Sequence, residues 1–339
     1  MTSTMLRPQQ TDDSPPPSPR RLVVRGDAGD ILYRGIARAS GLIVLAIMGG
    51  VGAFLAIRAA DALSKRGFSF LTTEAWEPET GTFGIASVLT NGVFIALVAV
   101  VVSLPLALGT SLFISEIAPA RLKRFLTSGV DLMAAVPSVV FGLWGVFLFQ
   151  EQAIAVSRWL ATWFGWIPFL AVPDTDPTNP LSSPSVFTGS TLVAGIVVGL
   201  MVTPIQTAIM REVFSQAPVG EREGAFALGA TRWGMIRSVV LPFGRGGIIG
   251  GTMLGLGRAL GETIAIYMIV TPVFQIQPHI LETGSLSVSA LIALRFGEAS
   301  EFGLSALMAA GLALFALTLI INFTASSIVA RSRSGAETG

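Results

Sequence analysis

The sequence predicts an all-α polytopic membrane protein with six transmembrane helices and both termini cytoplasmic, and three observations predict it. Of 339 residues, 52% are hydrophobic and only 13% are charged, where soluble chains carry about 25% charge, and the mean hydropathy is +0.70. Six stretches approach the ~20 apolar residues needed to cross a bilayer: 39–57, 84–114, 132–150, 186–210, 246–270 and 303–330. Lysine and arginine then divide unevenly between the two sides that these spans define, which sets the orientation.

In chain order, residues 1–38 are polar, and the prolines of "DDSPPPSPR" mark them as a flexible cytoplasmic tail. The run 39–57 lies too far from the N-terminus for an ordinary signal peptide and reads as a retained anchor. An extracytoplasmic loop, 58–84, follows it, and 85–330 form the core, ending in a short cytoplasmic tail at 331–339. Span two is long enough to tilt. The tryptophan-rich "WLATWFGWIPFLAV" at 159–172 is short and holds Pro168. It reads as an outer interfacial or re-entrant element rather than a seventh crossing. On this topology the inner side holds Arg7, Arg20, Arg21, Arg25, Arg34, Arg38, Arg121, Lys123, Arg124, Arg211, Arg222, Arg232, Arg237, Arg245, Arg331 and Arg333. The outer side holds Arg58, Lys65, Arg66, Arg158 and Arg295, and Arg258 falls inside span five.

Composition excludes several function classes. There is no cysteine, hence no disulfide, thiolate metal site or cysteine nucleophile. The single histidine, His279, reads as a solvated loop residue, so no histidine metal cluster or serine–histidine triad is available. No catalytic residues are assigned. A net charge of +1 gives no field for nucleic acid. Lysine occurs only at 65 and 123, neither in a G-x-x-x-x-G-K-[ST] loop, so the chain brings no nucleotide site or cofactor of its own.

Two segments carry the chemistry. The inner loop 211–242 cannot span, yet it favours helix on both sides of Gly229, and Trp233, Ile236 and Val240 recur at helical spacing. Gly229 reads as a turn between two short helices and Pro242 as the end of the second. By shape alone this is either a docking element or an amphipathic connector. The other segment is "GLGRALGETIA" at 255–265, with Arg258 at the midpoint of an otherwise charge-free run and Glu262 four residues on. An intramembrane charge costs at least about 2.5–3.5 kcal/mol and is functional by default. Spacing of four puts both on one helical face, beside a small-residue ladder of Gly247, Gly251 and Gly255 that admits a close neighbour. Arginine recognises an oxyanion through two charge-assisted bonds. Glu262 then neutralises the empty site and keeps binding weak enough for release. The competing reading is an ion pair that only locks helices together.

Glu223, Gly224, Ala225, Gly229, Val239, Leu241 and Pro242 fit the EAA signature E-A-A-three-G-nine-I-x-L-P at every spacing, with Gly224 for alanine and Val239 for isoleucine. In this the chain resembles ABC-importer permeases. "SLPLALGTSLFISEIAP", "VPSVVFGLWG", "GLGRALGET" and "SALIALRFGEA" further resemble the PstC-type permeases of phosphate-specific transport systems, over roughly 85–330. Thr203 stands before Pro204 where that family commonly has a hydrophobic residue, and its hydroxyl is a candidate pathway group.

The resemblance implies a type I ABC importer permease fold in a bacterial cytoplasmic membrane, with the 211–242 loop seated on an ATPase. It also implies a second, PstA-like permease subunit, a dimer of ATPase subunits using ATP and Mg, and an extracellular phosphate-binding protein. Only the resemblance selects phosphate, since arginine suits sulfate or molybdate equally. An ATP-independent secondary anion transporter or channel explains Arg258 and Glu262 but gives no reason for the docking loop. A regulatory membrane protein is a third reading, compatible with transport.

Overall fold

The computed structural model describes residues 28–173, 175–179 and 181–334. Among the described residues, those up to Val51 form one compact unit and those from Gly52 a second. Six helical stretches among the described residues are long and apolar enough to cross a membrane: Ile31–Arg66, Ala86–Ile117, Ser138–Phe164, Thr191–Ser215, Arg232–Leu260 and Glu301–Ser327.

The first helix, α1, runs Ala28–Arg66. Residues 28–38, expected in a flexible tail, are helical: proline is confined to earlier positions, and alanine, leucine and arginine sustain the helix. The rest of the expected tail lies outside the described residues. The expected outer loop also starts later than 58, because α1 continues until Gly67, at φ +53, ends it. A short helix α2 (Ser69–Thr72) leads to a two-stranded hairpin, β1 (Trp76–Glu77) against β2 (Thr82–Phe83), antiparallel with Trp76 opposite Phe83. Phe83 is fully buried and meets Phe70, Trp76 and Phe302 edge-on, which fixes the hairpin over one end of the bundle.

Span two is α3 (Ala86–Leu112), continued by a π-helical turn Phe113–Ile117. Pro119 opens the exposed amphipathic helix α4 (Ala120–Ala134). Span three departs most from the sequence expectation of 132–150. Pro137 initiates α5 (Ser138–Trp144), a π-helical turn Gly145–Phe149 follows, and α6 (Gln150–Phe164) completes the crossing. Residues 150–164 carry Glu151 and Arg158. Arg158 donates to the carbonyls of Ser182 (2.6 Å) and Asn179 (3.4 Å) in the following loop, which satisfies it at the end of the helix. The segment 159–172 is thus split: its first residues are the last turns of α6, and Pro168–Leu170 form a 3₁₀ turn.

Span four, α7 (Thr191–Ser215), begins where the Ser190 hydroxyl caps the Val193 amide. It packs closely on α3. A Cβ at Gly199 would stand 2.8 Å from the Ala99 carbonyl oxygen, and one at Gly195 would strike Val98. Only glycine allows that approach. After α7 come the short helices α8 (Val219–Ala227) and α9 (Arg232–Met235), a π-helical turn Ile236–Val240, and α10 (Leu241–Leu260). The chain then forms α11 (Ile264–Ile269), α12 (Val288–Arg295) and α13 (Glu301–Ser334). Residues 331–334, expected in the C-terminal tail, continue α13, and 335–339 lie outside the described residues.

Candidate functional site

The loop between spans four and five is built as two helices about Gly229. Gly229 has φ +83, its N–H donates to the Phe226 carbonyl at 2.9 Å, and the Ala230 N–H reaches the Ala225 carbonyl at 3.0 Å. This pair of bonds is the Schellman closure of a helix C-terminus, and it needs the left-handed conformation that glycine adopts at no cost. Thr231 then caps α9, its hydroxyl accepting from the Gly234 N–H at 3.1 Å.

Glu223 and Gly224 are exposed, and Ala225 packs on an inner cluster of Met210, Phe214, Met235, Ile236 and Val240. Val239 and Leu241 are half-buried. Trp233 does not join Ile236 and Val240 as its spacing suggested. It is exposed, as are Val219 and Phe226, and Leu228 is 91% exposed. All four are large apolar side chains exposed on one short loop.

Pro242 does not end the second helix. The turn Ile236–Val240 carries α9 without interruption into α10. Proline lacks an N–H and its ring crowds the carbonyl four residues back, so the helix widens there instead of breaking.

Span five therefore starts at Arg232 and stops at Leu260, twenty-nine residues, and Arg258 lies in its last turn rather than at a midpoint. Gly261 ends α10, so Arg258 and Glu262 do not share a helix. They point apart. Glu262 is only 8% exposed; its Oε1 accepts the Ala265 N–H at 3.2 Å, and Ser289 Oγ donates to its backbone carbonyl at 2.6 Å. Glu262 thus holds the turn into α11. No ion pair joins it to Arg258 among the described residues.

Arg258 is exposed, and its side chain makes no hydrogen bond or ion pair among the described residues. It lines a groove of about 600 Å³ with Ile205, Met253, Leu254, Gly257, Thr318 and Asn322. Spans four, five and six each contribute, and Thr318 and Asn322 add polar groups to the guanidinium. Thr203 is not in this lining. Its hydroxyl donates to the Gly199 carbonyl at 2.8 Å, within its own helix.

The ladder glycines face inward onto span four. Cβ atoms at Gly247, Gly251 and Gly255 would meet Val213, Met210 and Gln206 in turn. His279 sits 3.5 Å from the Glu282 carboxylate, and no group of three metal-ligating side chains occurs among the described residues.

One functional group escaped the sequence reading. Arg222, next to Glu223, turns inward, with Nη2 3.3 Å from Glu116 Oε1 and 2.6 Å from the Phe214 carbonyl. A lone acid in the apolar "SLFISEIAP" was the available signal.

Comparison with known proteins agrees with this geometry. Residues 106–334 match the model of the binding-protein-dependent transport system inner membrane component family. The phosphate transport system permease protein PstC of Pasteurella multocida is 34% identical over 296 residues, covering 86% of this chain and 89% of that protein. PstC 2 of Mycobacterium tuberculosis is 36% identical over 312 residues, covering 91% and 94%. Among solved structures, a chain of a bacterial ABC transporter involved in import of the acidic polysaccharide alginate superposes with a TM-score of 0.50 at 16% identity. The match covers 88% of this chain and 98% of that one, a likeness of fold. The chain is a multi-pass membrane protein with the ABC-importer permease fold, and it belongs to the family of binding-protein-dependent transport system inner membrane components.

Proposed function

We propose that this chain is the membrane-spanning permease subunit of an ATP-driven importer of inorganic phosphate. The observation that carries the reading is the loop 211–242: EAA spacing, a Schellman turn at Gly229, and Phe226, Leu228 and Trp233 presented bare to a partner. An exposed apolar patch of this kind marks a protein interface. The partner is an ATPase subunit dimer, which binds ATP and Mg and hydrolyses the nucleotide. The loop then faces the cytoplasm with both termini, and the hairpin end faces a phosphate-binding protein outside. Residues 85–330 form the permease core around this loop, and the named relatives supply phosphate as the substrate.

Arg258 is the anion-recognising group. An arginine on the open face of a span cannot look into lipid without a cost of several kcal/mol, so a second, PstA-like permease subunit covers its groove and completes the path. Glu262 holds the turn that ends span five beside Arg258, and Thr203 shapes span four at Pro204. The ladder of Gly247, Gly251 and Gly255 keeps spans four and five in contact.

Phosphate uptake by the assembled transporter in proteoliposomes tests the reading. Uptake requires ATP on the ATPase side, and Arg258→Gln abolishes it while a cross-link from Glu223→Cys to the ATPase still forms. Uptake that persists without ATP makes the chain a secondary transporter or channel; undiminished uptake in Arg258→Gln removes the site assignment.

A further inference from the structure

The docking loop is tied to the bundle through one charged side chain. Arg222 lies on α8 directly before the exposed Glu223, but its guanidinium turns inward, with the side chain 21% exposed. Its Nη2 donates to the Phe214 carbonyl at 2.6 Å and stands 3.3 Å from Glu116 Oε1. Phe214 is in the last turn of span four, where unpaired carbonyls carry partial negative charge. Glu116 lies in the π-helical turn that ends span two, and its side chain is 3% exposed. A single guanidinium thus bridges the loop to the ends of two spans that pack on each other along their length.

The tie is only half made. Glu116 Oε1 is within ion-pair distance yet forms no hydrogen bond, and Arg222 Nε is buried without a partner. A guanidinium facing a carboxylate squarely makes two parallel bonds. Relative displacement of α8 and the Phe113–Ile117 turn alters that geometry. A buried ion pair with unsatisfied atoms is costly, so the energy of this contact depends on how α8 sits against that turn. Turns of π geometry often occur at functional positions, and this one holds the acid.

We propose that Arg222 is a positioning residue that transmits movement of the docking loop to spans two and four through Glu116 and the Phe214 carbonyl. The inference rests on the importer reading. When the loop is displaced by its partner, the Arg222–Glu116 fork closes and the ends of both spans follow.

The test measures ATP hydrolysis and phosphate uptake together in proteoliposomes holding the full transporter and its binding protein. Arg222→Gln, Glu116→Gln and the double variant each keep ATP hydrolysis, while phosphate taken up per ATP falls by about 5- to 150-fold, the range of ordinary coupling free energies. The double variant leaves no unpaired buried charge, so it guards against failure to fold, and it is no worse than either single change if the two act as a unit. Arg222→Lys, which keeps the charge but not the fork, restores part of the ratio. Hydrolysis and uptake falling in parallel, or an unchanged ratio in the double variant, overturns the proposal and leaves Arg222 a plain anchor. Wild-type uptake that ignores ATP refutes the importer reading instead.

Discussion

Glycines 247 and 251 are one turn apart on the same face of α10, yet they should respond oppositely to a methyl group. At Gly247 an added Cβ would lie 2.6 Å from Val213 Cβ and 2.7 and 2.8 Å from its two methyls. Carbon pairs are comfortable at about 3.5–4.0 Å, so the contact is about 1 Å too short. No rotamer relieves it, because Val213 Cβ is fixed to the backbone of α7; the two helices must part. At Gly251 the nearest atoms are Met210 Cγ and Cε at 3.4 Å, an ordinary contact with a flexible side chain. Replacing a helical glycine with alanine gains roughly 1 kcal/mol of propensity at either position. That gain is common to both, so the difference between Gly247→Ala and Gly251→Ala isolates the overpacking cost, about 1–3 kcal/mol. Thermal unfolding of the purified chain in detergent reads it. At about 2.1 cal/mol/K of unfolding entropy per residue, 1 kcal/mol moves the midpoint of a 339-residue chain by about 1.4 °C, so Gly247→Ala should melt at least ~1.4 °C below Gly251→Ala. Equal midpoints, or the reverse order, would refute the claim that spans four and five touch through this ladder.

Two further outcomes follow from the site. Leu228→Asp should abolish co-purification with the ATPase, since truncating or charging an interface anchor costs about 2 kcal/mol or more. At 91% exposure the same change should leave the unfolding midpoint of the isolated chain where it was. Glu262→Gln should keep the midpoint, because an amide oxygen still accepts the Ala265 N–H, whereas Glu262→Ala should lose about 0.5–2 kcal/mol, as for removal of a helix cap. Equal midpoints for Gln and Ala would show that this side chain does not hold the turn into α11.

Where the sequence was read well, the signal was local. The turn at Gly229 depends on one residue type in one backbone conformation, and its spacing to Leu241 and Pro242 is fixed along the chain. Six crossings likewise follow from apolar runs. Errors arose where a distant contact changed the meaning of a polar residue. Span three is expected to end at 150 with Arg158 outside it, but a loop more than twenty residues later satisfies that arginine at the end of a longer helix. Arg258 and Glu262 looked like a face-sharing pair because hydropathy runs on through Gly261 to Val270, and only the backbone reveals that the helix stops between them. Arg222 was counted among the inner positive charges, and nothing nearby in sequence discloses that Glu116 lies opposite it. Pairings of that kind belong to tertiary structure, and a single chain's spacing carries no trace of them.

The path from the loop to Arg258 sharpens the role of that hidden pair. The loop and the guanidinium groove are joined by the helical stretch Arg232–Leu260, about 43 Å long at 1.5 Å per residue. A rigid rod of that length would carry any tilt of the loop straight to Arg258. This rod is continuous but widens one turn from its start: Ile236–Val240 is π-helical, and Pro242 follows with no N–H to restore the ladder. Bending concentrates at such points, so part of the loop's displacement is absorbed before it enters span five. The Arg222 tie runs outside that joint, through α8 to the ends of spans two and four. Span four meets span five again along Gly247, Gly251 and Gly255 and brings Ile205 into the Arg258 groove. Motion that α10 loses at its π-helical turn therefore has a second route to the same arginine, and that route passes through the Arg222–Glu116 contact.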